Sequence, residues 1–273
     1  MQSNNPVFNR SEGFNGQSAH QATLGYDSDP SQWGVGVPGA TGLNDYRPMT
    51  IDSAVQKTAI SLGIVIVTAF ATWMLTPEIS DADKLSQIYM IAMLGAGAAF
   101  ILSLVNSFKK VISPALVMLF AAAEGVALGG ISKSFEAMFY EGIVMNAVLG
   151  TFAAFAGTLA AYKFLNIQVG DKFRRGVIAG MFGMVGLGLL TLVLSLFGID
   201  TGLFGMGALG LVMAVVGLVL GVFMLILDFD FVERGVAAGL PEAESWRAAF
   251  GLTVSLVWIY TNLLRILAIL NQD

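Results

Sequence analysis

The chain has 273 residues, of which 56% are hydrophobic and only 12% are charged, and its mean hydropathy is +0.74. This composition lies far from that of a soluble globular domain, and a formal charge of −5 does not provide the basic face that nucleic-acid binding requires. The sequence contains no cysteine, which excludes disulfides, thiolate metal sites and cysteine nucleophiles.

The first 48 residues are rich in Gly, Asn, Ser and Gln and contain no apolar run. Such a segment buries too little apolar surface to offset the entropy lost on ordering, so residues 1–48 are predicted to form a disordered tail. The tail also lacks the apolar core of a cleavable signal peptide. Residues 49–273 are predicted to form one transmembrane domain.

Seven apolar runs follow the tail, each close to the roughly 20 residues that a helix needs to cross the hydrocarbon core of a bilayer. They cover residues 55–75, 88–105, 112–130, 143–165, 177–197, 206–227 and 248–270. Only one proline, Pro114, lies inside a run, and it lies in the first turn, where its missing N–H costs nothing. The sequence therefore predicts an all-α integral membrane protein, a bundle of seven transmembrane helices.

The lysines and arginines predict the orientation of the bundle. With the N-terminus in the cytoplasm, eleven of the fourteen fall on the inner side: Arg10, Arg47, Lys57, Lys109, Lys110, Lys163, Lys172, Arg174, Arg175, Arg234 and Arg247. Only Lys84 and Lys133 fall in outer loops, and Arg265 lies within the last run. The bias predicts a cytoplasmic tail and the C-terminus outside, and the protein is expected in the cell (plasma) membrane.

Pairs of glycines four residues apart recur on three of the runs, at Gly125/Gly129, Gly176/Gly180 and Gly217/Gly221. Small residues at this spacing let helix backbones approach closely in a membrane. Glycine is also common in membrane helices without such a role, and the pairs name no function in either case.

Two ionisable residues lie deep in the predicted spans, Glu124 in the third and Arg265 in the seventh. A charge at membrane depth costs about 3 kcal/mol or more, so it usually faces the bundle interior and a partner. Counting about 1.5 Å per residue from the outer ends places both roughly 8–9 Å below the outer boundary. This predicts a buried Glu124–Arg265 ion pair, either as an architectural lock or as part of a transport path.

Two further carboxylates, Asp228 and Asp230, follow the sixth run at its inner end. On a continuous helix they point roughly 200° apart, so they share one site only if the helix ends between them. One interpretation is a polar stop at the cytoplasmic boundary, which suits Asp230. The other, for Asp228, is a buried or pore-facing carboxylate that acts as a proton-sensitive gate.

No set of catalytic residues is evident. The single histidine, His20, lies in the predicted tail, so neither a Ser–His protease nor a multi-histidine zinc hydrolase can be assembled. An intramembrane aspartyl protease needs two deep aspartates on neighbouring spans, and only Asp228 comes close. We therefore do not expect an enzyme.

The arrangement resembles the Bax-inhibitor family (transmembrane Bax inhibitor motif, YccA-like), which are seven-span proteins with a cytoplasmic N-terminus. The matching pieces are residues 114–116 and 123–129 on the third span, Asp228 at the end of the sixth, and residues 262–267 on the seventh. The Asn-Pro-Val-Phe of residues 5–8 resembles actinobacterial members. The resemblance covers about residues 49–273.

The resemblance implies a pH-dependent leak of calcium or other cations, gated by two aspartates on the sixth and seventh spans that share a proton. Asp228 falls at the first of these positions, whereas the second, ten residues before Arg265, is Ser255. A serine donates and accepts hydrogen bonds but does not ionise near neutral pH. Asp228 and Ser255 are therefore expected to form a hydrogen-bonded latch that is weaker than two aspartates sharing a proton. Alternatively, Asp230 supplies the second charge if the helix unwinds.

Two functions remain open. The first is a pH-sensitive cation leak through the bilayer, for which Asp228, Ser255 and Asp230 are the candidate gate residues. The second is a non-transporting regulatory scaffold that binds membrane proteins such as a quality-control protease. No cofactor and no fixed metal site are expected, because Ca²⁺ takes six to eight oxygen ligands and one carboxylate with one hydroxyl would hold it only transiently.

Overall fold

Seven helices account for most of the chain that the computed structural model describes, residues 47–272. They are α1 (Ile51–Leu75), α2 (Ala82–Phe108), α3 (Pro114–Met138), α4 (Ile143–Phe164), α5 (Asp171–Leu196), α6 (Ala208–Ala237) and α7 (Glu244–Leu270). All seven are long and apolar enough to cross a membrane, so the predicted all-α membrane fold is confirmed. The predicted tail, including His20, falls outside the described residues except for its last two positions.

Several helices continue well beyond the apolar runs that predicted them. Helix α6 continues to Ala237, ten residues past the predicted end at residue 227, and α3 continues to Met138, eight past residue 130. A helix does not end at its first charged residue when that residue finds a partner, because its backbone hydrogen bonds continue unchanged. The apolar runs therefore predicted where each helix lies but underestimated its length.

Helices α3 and α7 form the centre of the bundle, and α5 lies at its edge. About half of the spanning segment is buried in α3 and α7 (50% and 56%), against 11% in α5. Leu128 of α3 and Leu264 of α7 belong to one apolar core with Ile143 of α4. Helix α7 packs against α1, α4 and α6, while α5 packs only against α6. The polar residues of α7 are therefore the ones most enclosed by protein.

Glycine lets two helix pairs approach closely, as two of the three glycine pairs predicted. A methyl group on Gly125 or Gly129 would overlap backbone oxygens of α1, those of Val65 and Ala69 respectively. The pair on α6, at residues 217 and 221, meets side chains of α7 in the same way. On α5, Gly176 has open space around it, and a methyl group on Gly180 would lie 3.0 Å from the flexible Leu220 side chain of α6, so this pair makes no close backbone contact.

Two side chains near the C-terminus of α3 also form hydrogen bonds with the end of α1 and the start of α4. Lys133 lies inside α3 and is buried, not in an outer loop as predicted, and its Nζ donates to the carbonyl oxygens of Trp73 and Thr76 at 2.8 and 2.7 Å. These carbonyls lie at the end of α1, where helix acceptors have no partner within the helix. Glu136 accepts hydrogen bonds from the first N–H groups of α4.

A short extended segment ties the start of α1 to the connection between α6 and α7. Met49 N–H donates to the Leu240 carbonyl at 2.6 Å, and Glu242 N–H donates to the Arg47 carbonyl at 2.8 Å. The Met49 side chain is only 1% exposed and packs against Val236 and other apolar residues of this connection. We call residues 47–49 the N-terminal strap.

Candidate functional site

One polar contact between α6 and α7 joins Asp228 to Ser255. The Ser255 hydroxyl donates to Asp228 Oδ2 at 2.5 Å, which is a short and strong hydrogen bond. Gly251, one turn earlier on α7, leaves room for the carboxylate, because a methyl group there would lie 2.7 Å from Asp228 Oδ1. The structure thus brings together the two residues that the resemblance aligned, and their role as a gate stays a prediction.

Asp228 also lines a cavity of about 360 Å³ between α2, α5 and α6. We call it the Asp228 cavity. Its other walls are apolar apart from Ser103 of α2, and they include Phe100, Met181 and Met224. Within residues 47–272, no lysine or arginine forms an ion pair with Asp228. The carboxylate therefore lines an open-sided, largely apolar space with only a hydroxyl as its hydrogen-bond partner.

Asp230 faces the opposite way and belongs to a different cluster. Its two carboxylate oxygens accept from Arg174 of α5 and Arg234 of α6, both at 2.8 Å, and Arg234 also donates to the Val169 carbonyl at 2.7 Å. Helix α6 is continuous through residues 228–230, so the unwinding that would unite the two aspartates does not occur. The expectation that Asp230 supplies a second gate charge is therefore wrong for this conformation, because two arginines already neutralise it. Helix α6 continues past Asp230 to Ala237, and the interpretation of Asp230 as a polar stop at the membrane boundary stays a prediction.

The predicted ion pair between Glu124 and Arg265 does not form. Arg265 donates to the Gly210 carbonyl at 3.4 Å and lies 5.4 Å from the centre of the Phe204 ring, on the side of α7 that faces the start of α6. Glu124 instead points between α2 and α7, where it lines a second cavity of about 260 Å³. The depth estimate placed both residues at one level of the membrane, but a count along a helix does not fix the direction in which a side chain points.

We call this second space the Glu124 cavity. It is bounded by α2, α3 and α7, and its walls include Phe120, Trp258 and Thr261. Phe100 and Ser103 of α2 line both cavities, so the two spaces adjoin. Sequence reasoning missed Ser103 because one serine in an apolar run carries no distinguishing pattern.

A comparison with protein families identifies the family of the chain. Residues 5–272 match the family described as Bax inhibitor 1 like, which is almost the whole chain. The chain belongs to the Bax inhibitor 1-like family. The resemblance noted from the sequence is thereby confirmed, and with it a multi-pass protein embedded in lipid. No individually curated protein matches this Bax inhibitor 1-like chain closely enough to add a substrate or a partner.

Proposed function

We propose that this protein is a non-enzymatic, pH-sensitive cation leak, with calcium among its ions, in which the Asp228–Ser255 pair is the gate. The observation that supports the proposal is the position of Asp228. Its carboxylate lines a membrane-depth cavity, and its hydrogen-bond partner is a single hydroxyl on the next helix. An acid group without a fixed counter-charge is suited to attract a passing cation and to lose that attraction when it is protonated.

The gate would work through the charge state of one carboxylate. When ionised, Asp228 accepts the Ser255 hydrogen bond and gives the cavity a negative charge. Its carboxylate oxygens then replace part of the water around a cation. When protonated, it is neutral and the apolar walls no longer favour an ion. Cation flux is therefore expected to rise with pH. Because Ca²⁺ prefers six to eight oxygens, one carboxylate and a few hydroxyls suit passage better than storage.

The charges around the cavity favour cations over anions. The residues that line it include one acid and no base. Arg174 and Arg234, which reach the neighbouring part of α6, are bound to Asp230 on the other side of that helix. A single negative charge with no basic residue in the cavity lining attracts cations and repels anions.

Flux assays in liposomes test this proposal. Purified protein reconstituted with an enclosed calcium dye is expected to admit Ca²⁺ faster as the pH is raised, and Asp228→Asn is expected to abolish the flux by fixing the neutral state. Asp83→Asn is the matched control, because Asp83 is exposed in the first turn of α2 and should leave flux unchanged. Wild-type liposomes that admit neither Ca²⁺ nor K⁺ at any pH would refute the channel.

That negative result would favour the other function, a regulatory scaffold for membrane proteins such as a quality-control protease. A scaffold requires a partner, so crosslinking in native membranes followed by purification should then recover a membrane protein. Loss of that protein on deletion of residues 1–46 would assign the docking segment.

We further propose the plasma membrane as its location, with the N-terminus in the cytoplasm. The helix ends on the proposed inner side carry most of the basic residues, and Lys133 no longer counts as an outer-loop charge because it is buried within α3. Since the chain has no cysteine, one cysteine added at either terminus reports the orientation by labelling of intact cells with a membrane-impermeant thiol reagent.

A further inference from the structure

Two carboxylates lie at successive levels of the bundle, each lining one of two cavities that share a wall of α2. Asp228 lies opposite Gly251 and Ser255, whereas the Glu124 cavity is lined by Val254, Val257, Trp258 and Thr261. The centres of these two sets differ by four to five residues of α7, which corresponds to about 7 Å along a helix. Glu124 therefore lies about one turn further from the cytoplasmic end of α7 than Asp228.

The two levels share a wall formed by α2. Phe100 and Ser103 line both cavities, and α2 makes no close helix-to-helix packing with α5, α6 or α7 within the described residues. The Phe100 side chain is 42% exposed, so no packed core holds its ring in place. The Ser103 hydroxyl donates to the Phe100 carbonyl at 2.8 Å and keeps its oxygen lone pairs free to accept.

Glu124 has no protein partner that would explain a carboxylate at this depth. Among residues 47–272 it forms no ion pair, and no hydrogen bond to its side chain is found. Its neighbours in the cavity are Phe120, Trp258 and the hydroxyl of Thr261, and the Thr261 hydroxyl donates to backbone carbonyls of its own helix. An acid that is retained at membrane depth usually serves an ion or a proton path.

We propose that Glu124 is a second cation-binding residue, and that a partly hydrated inorganic cation moves between the Glu124 and Asp228 cavities past Ser103, with the Phe100 ring as the barrier. This inference rests on the proposed cation leak and adds its next step. The second cavity is large enough for a cation with several waters. Carboxylate and hydroxyl oxygens at each level replace water that the cation leaves behind.

The absence of cysteine from the sequence permits a test that does not depend on flux. In Ser103→Cys, a small change at the wall shared by both cavities, the added thiol is expected to react with water-soluble methanethiosulfonates. The cationic reagent should react several-fold faster than the anionic one, and this preference should fall in Ser103→Cys/Glu124→Gln. Glu141→Gln, an exposed acid in the α3–α4 connection, is the matched control and should leave the preference unchanged.

Flux separates this inference from the proposed function. Glu124→Gln is expected to reduce cation flux several-fold while Glu124→Asp keeps most of it, and Phe100→Ala should increase flux by lowering the barrier. If flux depends on Asp228 but is unchanged in Glu124→Gln, and the added thiol is unreactive, the leak stands and the role of Glu124 is refuted. If the thiol shows the Glu124-dependent preference without any flux, Glu124 binds cations, but the leak and with it the movement between the cavities are refuted. A thiol that reacts only with lipid-soluble reagents would show lipid in the cavities and overturn the inference.

Discussion

Replacement of Lys133 by Met should destabilise the protein strongly, although the residue lies far from the proposed path. The ammonium group donates two short hydrogen bonds to the last carbonyls of α1 and a longer one, 3.2 Å, to the Thr76 hydroxyl. Hydrogen bonds from a charged group are worth roughly 1.5–3 kcal/mol each. The two short bonds therefore amount to about 3–6 kcal/mol, and the longer one adds little because the Thr76 hydroxyl also donates to Thr72.

Part of this loss is recovered, because the freed carbonyls lie near the membrane surface and can bind water. We expect a reduction in the free energy of unfolding of about 3 kcal/mol for Lys133→Met, at the lower end of that range. Unfolding in mixed detergent micelles, followed by the fluorescence of the four tryptophans, measures it. Lys133→Arg should retain much of the stability.

Lys84→Met is the control for this comparison. Lys84 is a half-exposed lysine on α2 that lies 3.9 Å from Asp81, and such surface pairs contribute about 0–1 kcal/mol. If Lys133→Met and Lys84→Met unfold at the same denaturant fraction, Lys133 does not hold the end of α1 and the reasoning fails.

Two further predictions concern packing and charge at other positions. Asp230→Asn should reduce the free energy of unfolding by about 1–2 kcal/mol. This is less than a fully buried pair would lose, because both of its arginines are partly exposed and can be rehydrated. Faster hydrogen exchange at the start of α5 would report the loss, and unchanged exchange would contradict it. Gly125→Ala should reduce the free energy of unfolding by roughly 1–3 kcal/mol, because the added methyl overlaps a backbone oxygen of α1 that cannot move aside. Gly63→Ala, where no atom lies within 4 Å, is the control, and equal stabilities of the two variants would contradict the close approach.

The spans were predictable because lipid imposes a minimum length of apolar sequence on every crossing helix. Their ends were not, since a polar residue continues a helix whenever another element satisfies it. Asp230 shows this clearly. Its charge reads as a membrane boundary in the sequence, but arginines brought from α5 and from one turn further along α6 neutralise it within a continuous helix.

The site was predictable only in part, for a related reason. Membrane depth can be counted along a sequence, and it placed Glu124 and Arg265 at similar heights. Which way each points depends on how its helix is rotated against its neighbours, and that rotation is set by contacts distant in sequence. Arg265 faces the start of α6, whereas Glu124 faces α2. The contact between Asp228 and Ser255 was expected from the family resemblance, not from spacing.

The N-terminal strap has a mechanical consequence. It is pinned by backbone hydrogen bonds to the short connection whose two sides continue directly into the helices bearing Asp228 and Ser255. Tension applied to the 46 residues that precede it would reach this connection before any other part of the bundle. A ligand that pulls on those residues would thus load the connection between α6 and α7 directly.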